Sequence, residues 1–106
     1  MSFLVLIYDY ADVTERRDCV RSRHIEYQRP FAENGALLVG GALLDGEGSP
    51  IGSVAIVTYE AEEQVENWIH NDPYFVEHVW NEISILPIRT AEDLPFFRDN
   101  FEASDV

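Results

Sequence analysis

The sequence predicts an α+β fold of the ferredoxin-like βαββαβ type, and three observations carry that expectation. Apolar strand runs and amphipathic helical patterns follow one another as strand, helix, strand, strand, helix, strand. No internal repeat, low-complexity stretch or linker interrupts them. A chain of 106 residues is also long enough to fold without disulfide or metal, because a compact domain of this size buries over ~60% of its unfolded surface. The expected organisation is one domain over 1–106, with 91–106 as an acidic, aromatic C-terminal tail.

Phe3 to Tyr8 is an unbroken run of aromatic, branched and other apolar residues, which reads as a strand buried on both faces. In Asp12-Val13-Thr14-Glu15 a capping residue precedes a glutamate by three positions, a pattern that satisfies orphan amides at a helix start. The helix should run to Asn34-Gly35, where Asn and Gly supply a left-handed exit. Pro30 lacks a backbone donor and should kink this helix or end its first part. Two strands follow, 36–44 and 52–60, separated by the turn chemistry of Asp45-Gly46-Glu47-Gly48-Ser49-Pro50. A second helix starts near Ala61, with Ala61, Val65, Trp68 and Ile69 on one stripe and Glu62, Glu63 and Glu66 outside it. Asp72-Pro73 reads as a fresh N-cap with proline at the first helical position, opening a short turn to about His78. The last strand, 84–89, carries Pro87 and belongs at an edge or a bulge.

Two helices on one face of the sheet leave the other open. If Leu4, Leu6, Val54 and Ile56, or the residues alternating with them, line that face, a second copy would cover them, so a homodimer is expected. Leu94, Phe96, Phe97 and Phe101 in the tail are expected to pack across the neighbouring subunit.

The charge balance excludes several partners. Twenty acidic residues stand against seven basic ones, for a formal net charge of −13, so nucleic acid would be repelled. No apolar run approaches the ~18 residues of a membrane helix, and the apolar start carries no basic leader. The single Cys19 has no internal disulfide partner, and a cytoplasmic location is expected. All seven basic residues are arginines, and Arg16, Arg17, Arg21, Arg23 and Arg29 fall in one segment with His24. Such a positive island suits a small anionic ligand; equally, it is the pattern of a solvated helix face paired with acidic neighbours.

Few other residues are candidates for chemistry. At ~100 degrees per residue Val13, Val20, His24, Tyr27 and Phe31 fall within about 60 degrees, which turns His24 inward. Arg17 and Arg21 flank that stripe on one side, Arg16 and Arg23 on the other. An inward histidine can move a proton near neutrality, or it can be a satisfied core residue. Asp72 can likewise be a helix cap alone, or a fixed anion that orients His24 and stabilises its imidazolium while His24 acts as the base. His70 and His78 sit near helix ends, and no histidine has metal-ligand spacing. Cys19 reads as structural, and Gly40-Gly41 as a bulge or a close approach of ligand to backbone. No cofactor or metal motif is present.

Arg17, Arg21 and His24 on the first helix, Gly35 to Gly41 leading into the second strand, Gly52-Ser53 opening the third, and Asp72-Pro73-Tyr74 after the second helix share their order with a known family. Over roughly residues 3–89 the chain resembles the YCII-related (YciI-like) family. The resemblance implies a ferredoxin-like dimer of the dimeric α+β barrel type, with His24 and Asp72 at the positions of a pocket His-Asp pair. Family members with assigned activity include a dehydrochlorinase acting on a chlorinated aromatic-derived ring, and the fold is similar to that of muconolactone isomerase. The chain departs from the family in carrying Gly41-Ala42 where Gly-Pro is common, and in its tail.

The function expected is that of a small dimeric lyase or isomerase acting on an anionic or aromatic-derived metabolite. His24 and Asp72 would be catalytic, and Arg17, Arg21, Ser53 and Tyr74 would bind substrate. The alternatives are a dimer that binds a metabolite without turning it over, and a monooxygenase-like member of the wider barrel group.

Overall fold

The computed structural model describes residues 1–91. The tail residues Leu94, Phe96, Phe97 and Phe101 lie outside the described residues. Chain order is β1 (Ser2–Asp9), α1 (Thr14–Glu33), β2 (Leu37–Leu44), β3 (Pro50–Thr58), α2 (Glu62–His70), α3 (Pro73–Val76) and β4 (Trp80–Ile88). The four strands form one antiparallel sheet in the order β2-β3-β1-β4, an α+β architecture with both central strands drawn from separate halves of the chain.

Cross-strand register sorts the side chains. Leu4 lies opposite Ile56 and Leu86, and Leu6 opposite Val54 and Ser84, so these residues share one face. Phe3, Val5 and Ile7 point the other way and are buried with Val57, Val65, Ile69 and Val79 beneath the helices. The expectation that β1 is buried on both faces is therefore corrected: burial alternates along it, and only the helix-covered face is closed. Tyr8, Val39 and Leu86 on the far side are exposed.

The start of α1 also differs from expectation. Val13 occupies the N-cap without a side-chain cap, and Asp12 adopts a left-handed φ of 59°. Turning buried Val13 into the core takes the Asp12 carboxylate away from the capping position. Pro30 does not end the helix, which continues to Glu33. The carbonyl that Pro30 cannot bond belongs to exposed Glu26, where water can serve it. Asn34 and Gly35, the latter at φ 86°, close the helix as expected.

The β2–β3 hairpin is held by Asp45, whose Oδ1 accepts the amides of Glu47 and Ser49 at 2.8 and 3.0 Å. These bonds hold its carboxyl below the usual range. Strand β4 begins at Trp80, four residues earlier than the apolar pattern indicates, and pairs with β1 at the sheet edge, where Pro87 is tolerated.

Candidate active site

Arg17, Arg21, His24 and Gln28 recur at the spacing of successive helical turns and so lie along one side of α1. The sheet beneath them is floored by small side chains, with Gly40 opposite Ala55 and Ala42 opposite Ser53. Small residues on the sheet and long ones on the helix leave a cavity of about 450 Å³ between them. Its wall includes Arg17, Arg21, His24, Ser53, Tyr74 and Trp80.

Asp72 sits behind the His24 of this wall, fully buried, because of its local sequence. Pro73 occupies the first position of α3, Asp72 caps it in an extended conformation, and Asp72 Oδ1 accepts the Tyr74 amide at 2.8 Å. The same carboxylate, fully buried, lies 2.7 Å through Oδ2 from His24 Nδ1. Gln28 Nε2 donates to Oδ2 at 2.6 Å, and Trp68 Nε1 donates to Gln28 Oε1 at 3.0 Å. The cap and the histidine contact therefore coexist on one carboxylate. With Asp72 accepting at Nδ1, the lone pair of a neutral His24 belongs to Nε2, which has no hydrogen-bond partner among the described residues.

The Tyr74 ring stacks on the His24 ring, with centroids 4.0 Å apart and planes 19° from parallel. Arg17 lies over the same tyrosine at 4.7 Å. Burial raises the Tyr74 phenol, against the pull of Arg17 and Arg21.

Arg17 is inside the buried side of α1, a correction to its expected position on the flank. Its guanidinium donates to Asp9 Oδ2 at 2.7 Å, to the Gly52 carbonyl at 3.1 Å and to Ser53 Oγ at 3.3 Å. These fixed partners offset the cost of desolvating it. Burial of Asp9 outweighs this guanidinium and leaves its carboxyl above the usual range. Gly52 cannot carry a larger side chain here, because a Cβ would overlap the Ile7 carbonyl oxygen of the adjacent strand. Ser53 Oγ also accepts from Trp80 Nε1 at 3.0 Å, so both of its lone pairs are engaged. Arg21 makes no ion pair or hydrogen bond among the described residues and is exposed at the cavity wall.

The structure thus brings together His24, Asp72, Arg17, Arg21, Ser53 and Tyr74, and adds Gln28, Trp68, Asp9 and Trp80, which the sequence reading did not assign to the site. Two signals could have found the first two of these, and none in the sequence marks Asp9 or Trp80. Gln28 is one turn from His24, and a buried Trp68 needs an acceptor for its indole N–H. His70 packs against Phe75 with tilted rings at the end of α2, and His78 follows α3 at φ 59°, both away from the cavity wall. Cys19, expected to be structural, is exposed. Gly40 and Gly41 line the cavity, while the irregularities of β2 fall at Leu37/Val39 and Leu43/Leu44 instead. Among the described residues no group of three or more His, Cys, Asp or Glu could hold a metal ion, and no helix is long and apolar enough to cross a membrane.

A model of the YCII-related domain matches residues 1–89. The chain belongs to the YCII-related family. Among YCII-related relatives, Protein YciI of Escherichia coli is 28% identical over 95 residues, covering 84% of this chain and 97% of its own. Fusaric acid biosynthesis protein 2 of Gibberella fujikuroi is 29% identical over 96 residues, covering 83% of this chain and 92% of its own. In three dimensions the YCII-related chain is similar to 5-chloro-2-hydroxyhydroquinone dehydrochlorinase from Burkholderia phenoliruptrix, solved in complex with 2,5-dihydroxybenzoquinone. The TM-score is 0.79 at 20% identity, over 88% of this chain and 98% of the other, a likeness of fold.

Proposed function

We propose that this YCII-related protein is a small-molecule lyase or isomerase in which His24 moves a proton and Asp72 holds the ring. The observation that carries this reading is the 2.7 Å contact to a fully buried carboxylate from Nδ1 of His24, which itself lines a cavity large enough for one ring-sized metabolite. Nε2 would take a proton from a substrate carbon or hydroxyl. In a lyase the electron pair left behind expels a leaving group such as chloride, and in an isomerase the imidazolium returns the proton to another carbon. Asp72 would stabilise the imidazolium in the interval.

Negative charge developing on a substrate oxygen would meet Arg21, whose guanidinium is uncommitted, and the Ser53 hydroxyl proton, which is left to donate once both Oγ lone pairs are engaged. Arg17 would add positive charge from behind Tyr74, and Tyr74, its ring held between His24 and Arg17, would wall the cavity with Trp80 beside a planar substrate. The family and the dehydrochlorinase likeness favour a small aromatic-derived anion. A panel of hydroxylated and chlorinated quinols and of muconolactone-type lactones tests the proposal. Turnover of a panel member would support it, whereas binding with every compound recovered unchanged would favour the metabolite-binding alternative.

The assembly proposed is a ferredoxin-like dimer of the α+β barrel type. The element order and the sheet order β2-β3-β1-β4 suit that fold, and Tyr8, Val39 and Leu86 expose an apolar surface around Leu4, Leu6, Val54 and Ile56. Light scattering should give a dimer for the native chain and a monomer for Leu86→Glu; a native monomer would refute the dimer. A reducing, cytoplasmic setting suits the exposed Cys19.

A further inference from the structure

We propose that Gln28 and Trp68 are positioning residues that set the proton affinity of the His24–Asp72 pair through a one-way chain of hydrogen bonds. The inference rests on the pair acting as proposed above, but its evidence is separate.

The direction of the chain follows from its first member. An indole N–H can only donate, so the Gln28 atom facing Trp68 Nε1 at 3.0 Å is the amide oxygen. The Gln28 amide nitrogen therefore faces Asp72 and donates to Oδ2 at 2.6 Å. The Tyr74 backbone N–H, also a donor only, takes Oδ1 at 2.8 Å. Of the groups around Asp72, His24 alone can change from donor to acceptor, and two fixed donors already favour the carboxylate over the carboxylic acid. The proton of the pair is thus driven onto His24 Nδ1. Donation from Gln28 also spreads the negative charge of Asp72, which moderates its pull on an imidazolium.

Burial supports a built arrangement. Asp72 is 0%, Trp68 5% and Gln28 9% exposed, so none of the three bonds has water as a ready substitute. The chain spans three helices, with Trp68 on α2, Gln28 and His24 on α1, and Asp72 capping α3. Tyr27, one residue before Gln28, donates its hydroxyl to the Trp68 carbonyl at 2.8 Å and fixes α1 against α2 at this point. The ionisable groups facing the pair are Tyr74 from α3, Arg17, Arg21 and Tyr27 from α1, and Asp9 from β1 through Arg17. From α2 and β4 the contacts are the uncharged Trp68 and Trp80.

The test is a nuclear magnetic resonance titration of the His24 ring in the full chain without substrate, with circular dichroism to establish folding. Gln28→Met keeps the volume and removes the donor, so Asp72 should hold the shared proton more tightly. The titration midpoint should rise by roughly half a pH unit, because Gln28 bonds the carboxylate in both states of the ring and only part of a charge-assisted hydrogen bond separates the two. Gln28→Glu sets a second carboxylate against Asp72 and should raise the midpoint further. Trp68→Phe frees the amide and should raise it less. A midpoint that stays in place or falls in folded Gln28→Met would overturn the proposal, and an unmoved midpoint in Trp68→Phe would overturn its Trp68 half. Because no turnover is read, a failed search for a substrate leaves this result standing.

Discussion

The Tyr74 ring covers the His24 ring in a near-parallel stack at 4.0 Å, while the Tyr74 backbone amide holds the carboxylate to which His24 is bonded. One residue therefore fixes the histidine from its face and its partner from below. The two roles arise from one short sequence, because Asp72-Pro73-Tyr74 places a cap, a helix-opening proline and a ring in consecutive positions.

Replacing Asp72 by Asn separates the cap from the charge. The amide oxygen can still accept the Tyr74 N–H, but an NH2 would face the Gln28 and His24 donors, costing about 1–3 kcal/mol of stability. Activity should fall by more than that loss explains, by about 10²–10⁴-fold, because the imidazolium would have no counter-charge. Steady-state kinetics beside thermal unfolding distinguishes the roles, and full activity in the variant would leave Asp72 as a cap alone.

Arg17→Met should be the more damaging to folding. Asp9 would then be a buried carboxylate with no cation, and Tyr74 would lose the guanidinium over its ring. A loss of about 3–5 kcal/mol is expected in denaturant unfolding. Adding Asp9→Asn should recover part of it, and a double variant no more stable than Arg17→Met alone would contradict the pairing.

Stability should also fall in alkali. Burial and the neighbouring Asp72 push the Tyr27 phenol up to about 12 from an ordinary value of 10.0, and burial raises Tyr59 and Tyr74 as well. A group that holds its proton more tightly when folded contributes stability fully present below pH 10, and that contribution is lost as pH rises through about 12. Thermal unfolding measured across this window should show the decline. Tyr27→Phe should be less stable at neutrality, for want of the bond to the Trp68 carbonyl, and should decline less steeply.

Much of this was legible before any coordinates, and the divisions have physical causes. Strand and helix order followed from hydrophobic period, and Asp72-Pro73 announced its own cap. His24 was found from helical phase because it shares the arc of Val20 and Tyr27. Arg17 was misjudged because helical phase sorts residues by apolarity, whereas this guanidinium is buried against partners on β1 and β3 that no local pattern connects to it. Gln28 escaped for the same reason: its acceptor lies 44 positions and its donor 40 positions along the chain, brought near only by the packing of α2 and α3 on α1. The cavity was invisible as a volume, although the small residues Gly40, Ala42, Ser53 and Ala55 that make it were in plain view.

The most direct test of the account is turnover of the responsive panel compound by His24→Gln, with the fold checked by circular dichroism. Glutamine keeps a polar side chain on α1 but cannot carry the proton. The account predicts a folded protein whose rate is lower by about 10²–10⁴-fold. A folded His24→Gln protein that turns the compound over at the native rate would contradict it.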